Sequence, residues 1–136
     1  MKDRQQGEFR IESESDIVSA RKIIRNAAVC LGFGLTDVTR IVTAASELTR
    51  NIYVHARSGV MRWRTVNNGP DVGLEVTFED RGPGIPDLAK AMEVGFSTGS
   101  GLGMGLPGSK RLTDEMTISS EVGKGTTVVV RKWLKS

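Results

Sequence analysis

A chain of 136 residues, 38% apolar and 26% charged, has the size and composition of one folded domain, so neither a fibrous nor a disordered protein nor a multi-domain enzyme is expected. Its 19 lysines and arginines exceed the 16 acidic residues by three, and aromatics reach only 5%. The cations are scattered, densest at Arg21-Lys22 and Arg25, without the basic–aromatic interleaving of single-strand binders, so no nucleic-acid partner is expected.

No run approaches the roughly 18 apolar residues of a membrane span, and Met1-Lys2-Asp3-Arg4 leads into no apolar signal segment. The single cysteine, Cys30, excludes an internal disulfide, and the single histidine, His55, excludes a histidine-based metal site. These features point to a cytoplasmic protein. Cys30 falls within an apolar helical pattern and is expected to be a small core residue.

In chain order, Glu8 to Glu12 reads as a short strand with Phe9 and Ile11 on one face. Ser15-Asp16 offers an N-cap. Ile17, Ala20, Ile23/Ile24, Ala27/Ala28 and Leu31 then recur at helical spacing until Gly32 and Gly34. Thr36-Asp37 caps a second helix to about Ala56, with Ile41, Ala45, Leu48 and Ile52 as its stripe. Val60 to Val66 reads as a strand, and Asn67-Asn68-Gly69-Pro70 as a turn. Leu74, Val76 and Phe78 alternate with Glu75, Thr77 and Glu79, as in a half-buried strand ending at Asp80. Asp87 to Val94 suits a short helix, and so does Leu106 to Glu115, with Pro107 in its first turn. Met116 to Ser120 and Thr126 to Leu134 read as two last strands. The order predicts a two-layer α/β sandwich, helices on one face of a mixed, mostly antiparallel sheet.

Five of the 16 glycines (Gly99, Gly101, Gly103, Gly105 and Gly108) fall within ten residues. A P-loop needs Gly-Lys-Ser/Thr at its end, and here Ser109-Lys110 follow Gly108 in the wrong order. Gly103-x-Gly105-x-x-Gly108 matches the dinucleotide pattern but closes no strand and contains Pro107. The protein-kinase glycine loop needs a following Val and a longer chain. What remains is a glycine-rich segment ending at a helix start, able to lay backbone N–H groups and a helix dipole against phosphates. A surface loop would have the same composition.

Two further patterns carry chemistry. Glu47 and Asn51 are spaced i,i+4 beside the apolar stripe of the second helix. An amide oxygen there is a hard ligand for Mg²⁺, and a carboxylate one turn away is a candidate general base. Asp80 ends a strand before Arg81-Gly82-Pro83-Gly84. A carboxylate there accepts from an exocyclic amino group such as adenine's, and the glycines let a flat ring approach the backbone. Taken singly, the first pattern also fits an ordinary helix surface and the second a strand-exit turn.

Together, Glu47-x-x-x-Asn51, Asp80-x-Gly82-x-Gly84, Gly101-x-Gly103-x-Gly105 and Gly125-Thr126 resemble the ATP-binding domain of the GHKL superfamily of gyrase, Hsp90, histidine kinases and MutL. The resemblance covers about residues 36 to 130 and implies one Bergerat-fold domain over 1–136. It implies that Glu47 is the general base and that Asn51 holds Mg²⁺. Asp80 would bind the adenine amino group, and Thr126 would support the adenine pocket. Further ATP contacts implied are Gly82, Gly84, Ile85, Thr98, Gly99, Ser100, Gly101, Leu102, Gly103, Met104, Gly105 and Leu106, the glycines of the later stretch forming a lid.

Gyrase, MutL and Hsp90 need a further domain to turn ATP binding into motion, and a histidine kinase needs a phosphoacceptor histidine on a dimerisation helix. His55 lies one turn beyond Asn51 and is poorly placed for that. The stretches Ser46 to Tyr53, Asp80 to Asp87, Gly95 to Thr98, Gly101 to Gly108 and Lys132-Trp133-Leu134 resemble the stressosome switch kinases, protein-serine kinases of bacterial partner-switching systems. That resemblance implies transfer of the ATP γ-phosphoryl group to Ser or Thr of STAS-domain proteins, which also sequester the kinase. The released kinase would then activate a downstream PP2C-type phosphatase or other output protein. Arg50 and Lys110 are candidates for phosphate or partner contact. Two alternatives stay open: an anti-sigma factor with kinase activity toward a STAS antagonist, and an ATP-gated adaptor. Anti-sigma kinases share the nucleotide motifs, but Arg50 and Leu106-Pro107-Gly108 fit them less well.

Overall fold

The computed structural model describes residues 5–84 and 105–134. Helix α1 (Ser15–Leu31) buries Ile17, Ala20, Ile24, Ala27, Ala28 and Leu31, the stripe that helical periodicity requires. It ends where Gly32 takes φ +97°, which lets the Phe33 N–H reach the Ala28 carbonyl at 3.1 Å. Its start differs from expectation. Ser15-Asp16 lie inside the first turn, and Glu14 at the N-cap makes no side-chain cap bond. Asp16 instead turns back and accepts the N–H groups of Glu12 at 2.8 Å and Ser13 at 3.0 Å. Cys30 is exposed rather than buried, because it sits about 120° round the helix from the centre of the stripe.

Helix α2 (Leu35–Ala56) starts before the expected Thr36-Asp37 cap, with Gly34 at its N-cap. It buries Val38, Ile41, Val42, Ala45, Leu48 and Ile52, together with Ser46 and Thr49. Helix α3 (Gly105–Leu112) packs along α2 and carries Pro107 in its first turn, where a missing N–H costs nothing. It stops three residues short of Glu115 because the Asp114 N–H already bonds the Arg131 carbonyl of the sheet at 2.9 Å. The helix expected over Asp87 to Val94 lies outside the described residues.

The strands β1 (Gln6–Ile11), β2 (Gly59–Asn68), β3 (Asp71–Asp80), β4 (Glu115–Glu121) and β5 (Gly125–Trp133) form one sheet in the order β1-β2-β3-β5-β4. Every pairing among them is antiparallel, so the described sheet is not mixed. β2 and β3 outrun their expected bounds because Asn68 pairs with Asp71, leaving only Gly69-Pro70 as the turn. Gly69 has φ +60°, as the first position of a II′ hairpin turn requires.

Ile11, Met61, Leu74, Val76, Phe78, Val128 and Val130 on one sheet face join the helix stripes in a single core. The open face carries the ion pairs. There Glu75 is 7% exposed, which breaks the simple alternation of β3, because Arg64 and Arg131 close over its carboxylate at 2.8 Å each. Lys132, on the helix side, is buried between Asp37 at 3.5 Å and Asp114 at 3.7 Å. It ties β5 to the start of α2 and the end of α3.

Candidate nucleotide-binding site

Antiparallel register places Gly59, Asp80, Thr126 and Ser120 directly opposite one another on β2, β3, β5 and β4. Strand alternation puts this row on the face that Phe78 and Val128 fill one step earlier. The row thus stands at the rim of the core, where a polar group is half dry. Asp80 accepts the Gly82 N–H at 2.8 Å and also the Thr126 N–H. Burial nevertheless pushes its carboxyl above the ordinary 3.8, against those two hydrogen bonds and the nearby His55. A carboxylate so held keeps lone pairs for one more donor.

Residues 81–84 are wedged between the end of α2 and the β4–β5 turn. A Cβ on Gly82 would stand 2.6 Å from the Ala56 Cβ. Gly84 has φ +79° and lies against the Glu121 carbonyl, and the Gly123 N–H bonds the Pro83 carbonyl at 2.9 Å. Both sequence-derived site glycines therefore have reasons inside the protein, beyond any approach of a ring. Gly125, the first residue of the Gly125-Thr126 motif, has φ +117° and packs against the Asp80 backbone. His55 and Ser120 were missed, since only helix packing and strand register bring them to Asp80 and Thr126.

On α2, Glu47 and Asn51 are half-buried, and i,i+4 spacing sets them in line with His55, which lies near Asp80. Arg50 is half-buried too, with its Nε shielded from solvent and unpartnered. Leu106 on α3 packs on the core, Gly105 starts that helix, and Lys110 is exposed. The remaining expected contacts, Ile85, Thr98, Gly99, Ser100, Gly101, Leu102, Gly103 and Met104, lie outside the described residues. Among the described residues no three His, Cys, Asp or Glu side chains gather as a metal cage. The Asn51 amide fits a cation that takes most of its ligands from water and phosphate, as Mg²⁺ does.

A helix layer on one antiparallel face, with a strand-end carboxylate beside a helix bearing Glu and Asn, is the architecture of a GHKL-type sandwich. The model of the histidine kinase-, DNA gyrase B-, and HSP90-like ATPase family matches residues 36–136, and the chain belongs to that family. It is 52% identical over 126 residues to the serine/threonine-protein kinase RsbT of Bacillus subtilis (strain 168), covering 93% of this chain and 95% of that one. It is 31% identical to an anti-sigma F factor of Thermoanaerobacter sp. (strain X514), over 86% and 85% of the two chains. A solved structure of the RsbU and RsbW domains of a Mycobacterium tuberculosis protein shares the fold, with TM-score 0.59 at 20% identity over 93% of this chain and 32% of that one. By class the chain is an ATP-dependent serine/threonine-protein kinase. No helix among the described residues is long and apolar enough to cross a membrane.

Proposed function

We propose that the chain, as one domain over 1–136, transfers the γ-phosphoryl group of ATP to a Ser or Thr of a STAS-domain protein, in a cytoplasmic partner-switching pathway of the stressosome type. The observation that carries this reading is the likeness to a serine/threonine-protein kinase over nearly the whole chain, together with the Asp80–Thr126 row set against the end of α2, the helix that bears Glu47 and Asn51. Asp80 accepts the adenine amino hydrogen, and Thr126 completes that edge. Glu47 takes the proton of the attacking hydroxyl as its oxygen bonds to the γ-phosphorus and the bond to ADP breaks. Asn51 contributes an oxygen to Mg²⁺, which neutralises phosphate charge when bound. Arg50 and Lys110 supply cations for phosphate or partner. The STAS partner both receives the phosphoryl group and sequesters the kinase. Release frees the kinase to act on a PP2C-type phosphatase or another output protein.

The likeness to an anti-sigma F factor supports a second reading, in which the same kinase holds a sigma factor. Incubation with Mg²⁺-ATP and a mixture of STAS-domain protein and sigma factor separates the two. The first reading expects phosphorylated STAS protein by intact mass spectrometry and no stable complex with the sigma factor. A sigma-factor complex released by the STAS protein would establish the second.

A further inference from the structure

Beyond Asp80 and Thr126, the cross-strand row contains a third polar side chain with no part in the motifs. Ser120 on β4 faces Thr126 on β5, which faces Asp80 on β3. The Ser120 Oγ lies 2.9 Å from the Thr126 Oγ1 and donates to the Gly125 carbonyl at 3.2 Å. A hydroxyl has one proton and a carbonyl oxygen has none to give. Either hydroxyl can be the donor in the 2.9 Å contact; in the arrangement that makes both bonds, the Ser120 proton goes to Gly125 and the proton of Thr126 makes the contact between the two hydroxyls. With that proton committed, Thr126 Oγ1 offers only lone pairs outward. The ionised Asp80 carboxylate beside it likewise only accepts.

On the reading that this row holds the nucleotide base, we propose that Ser120 is a specificity-determining positioning residue. By accepting the Thr126 proton it makes the row a set of acceptors only, which admits a 6-aminopurine and rejects a 6-oxopurine. A 6-amino group donates to such a row. A 6-oxo group sets its own lone pairs against it and leaves both sides unsatisfied in a half-dry site, which is the costly case for a hydrogen-bonding group. Without Ser120 the Thr126 hydroxyl is free to rotate and to donate to a 6-oxo oxygen.

The experiment measures the dissociation constants of ATP and ITP, which differ at the purine 6-position, by calorimetry on the full chain. Ser120→Ala is expected to lower the ITP/ATP ratio by about tenfold, on the scale of one hydrogen bond. Ser120→Thr, which keeps the hydroxyl, is expected to retain the wild-type ratio, a rescue that general loosening of the hairpin would not give. Thr126→Val reads the same effect if Ser120→Ala fails to fold, since loss of the hydroxyl lowers the ratio chiefly by weakening ATP. A wild-type ratio in folded Ser120→Ala, or in folded Thr126→Val where that variant stands in, overturns the proposal. Asp80→Asn separates this from the underlying reading: undiminished ATP binding in that variant shows that the row does not hold the base at all.

Discussion

Asp80 is subject to two opposing effects, and their balance has a measurable consequence. Burial raises its carboxyl above 3.8, while the Gly82 and Thr126 N–H groups and His55 act the other way. A raised value in the folded protein means that Asp80 adds to stability at pH below the unfolded value, and that this contribution is lost as pH rises through the folded one. Base binding runs opposite in sign, since it needs the ionised acceptor. ATP affinity measured by calorimetry is therefore expected to fall on acidification from a pH higher than an ordinary aspartate would give, while Asp80 itself does not weaken the fold. Asp80→Asn should remove that acid limb of the affinity profile. Asp80 was legible in the sequence because a strand alternation ends on it and glycines follow. Ser120 and His55 were not, since their place depends on strand register and helix packing rather than on neighbours in the chain.

At the scale of elements, the segment 81–84 is held by steric fit between α2 and the β4–β5 turn. Gly82→Ala puts a methyl against Ala56 and is expected to destabilise by about 1–3 kcal/mol, the usual range for overpacking. Urea unfolding reads it, and adding Ala56→Gly should recover part of the loss; wild-type stability in Gly82→Ala would contradict the packing account. The sheet's open face gives a second test. Burial pushes the Glu75 carboxyl up, but the hydrogen bonds from Arg64 and Arg131 outweigh it and hold it below 4.5. A lowered value means that the stabilisation is present above the unfolded carboxylate range and is lost as pH falls through the folded value. Glu75→Gln should flatten that acid limb in thermal unfolding between neutral and low pH. The helices and their stripes were legible because burial follows the 3.6-residue period. Strand ends and caps were less so: Asn67 and Asn68 favour turns by propensity, yet the Gly69-Pro70 hairpin keeps both in the ladder, and Asp16 caps the chain before α1 instead of α1 itself. Cys30 was misread because apolar neighbours on a helix need not share its face.

For the whole molecule, the two-layer sandwich is fixed by one core between α1, α2 and a sheet whose other face bears ion pairs. That architecture, with Asp80 at a strand end and Glu47 and Asn51 on the helix beside it, matches the family to which the chain belongs. Class and fold were legible because four short motifs keep their order and spacing along one domain. The identity of the partner is a property of its own surface and had to be inferred from likeness. The central claim is that Glu47 acts as base in phosphoryl transfer to a STAS-domain protein, and the most direct measurement is single-turnover transfer from γ-labelled ATP by wild type and Glu47→Ala. The account predicts ATP binding retained and a transfer rate lowered by about 100- to 10,000-fold, as for loss of a general base. Transfer by Glu47→Ala at the wild-type rate would contradict it.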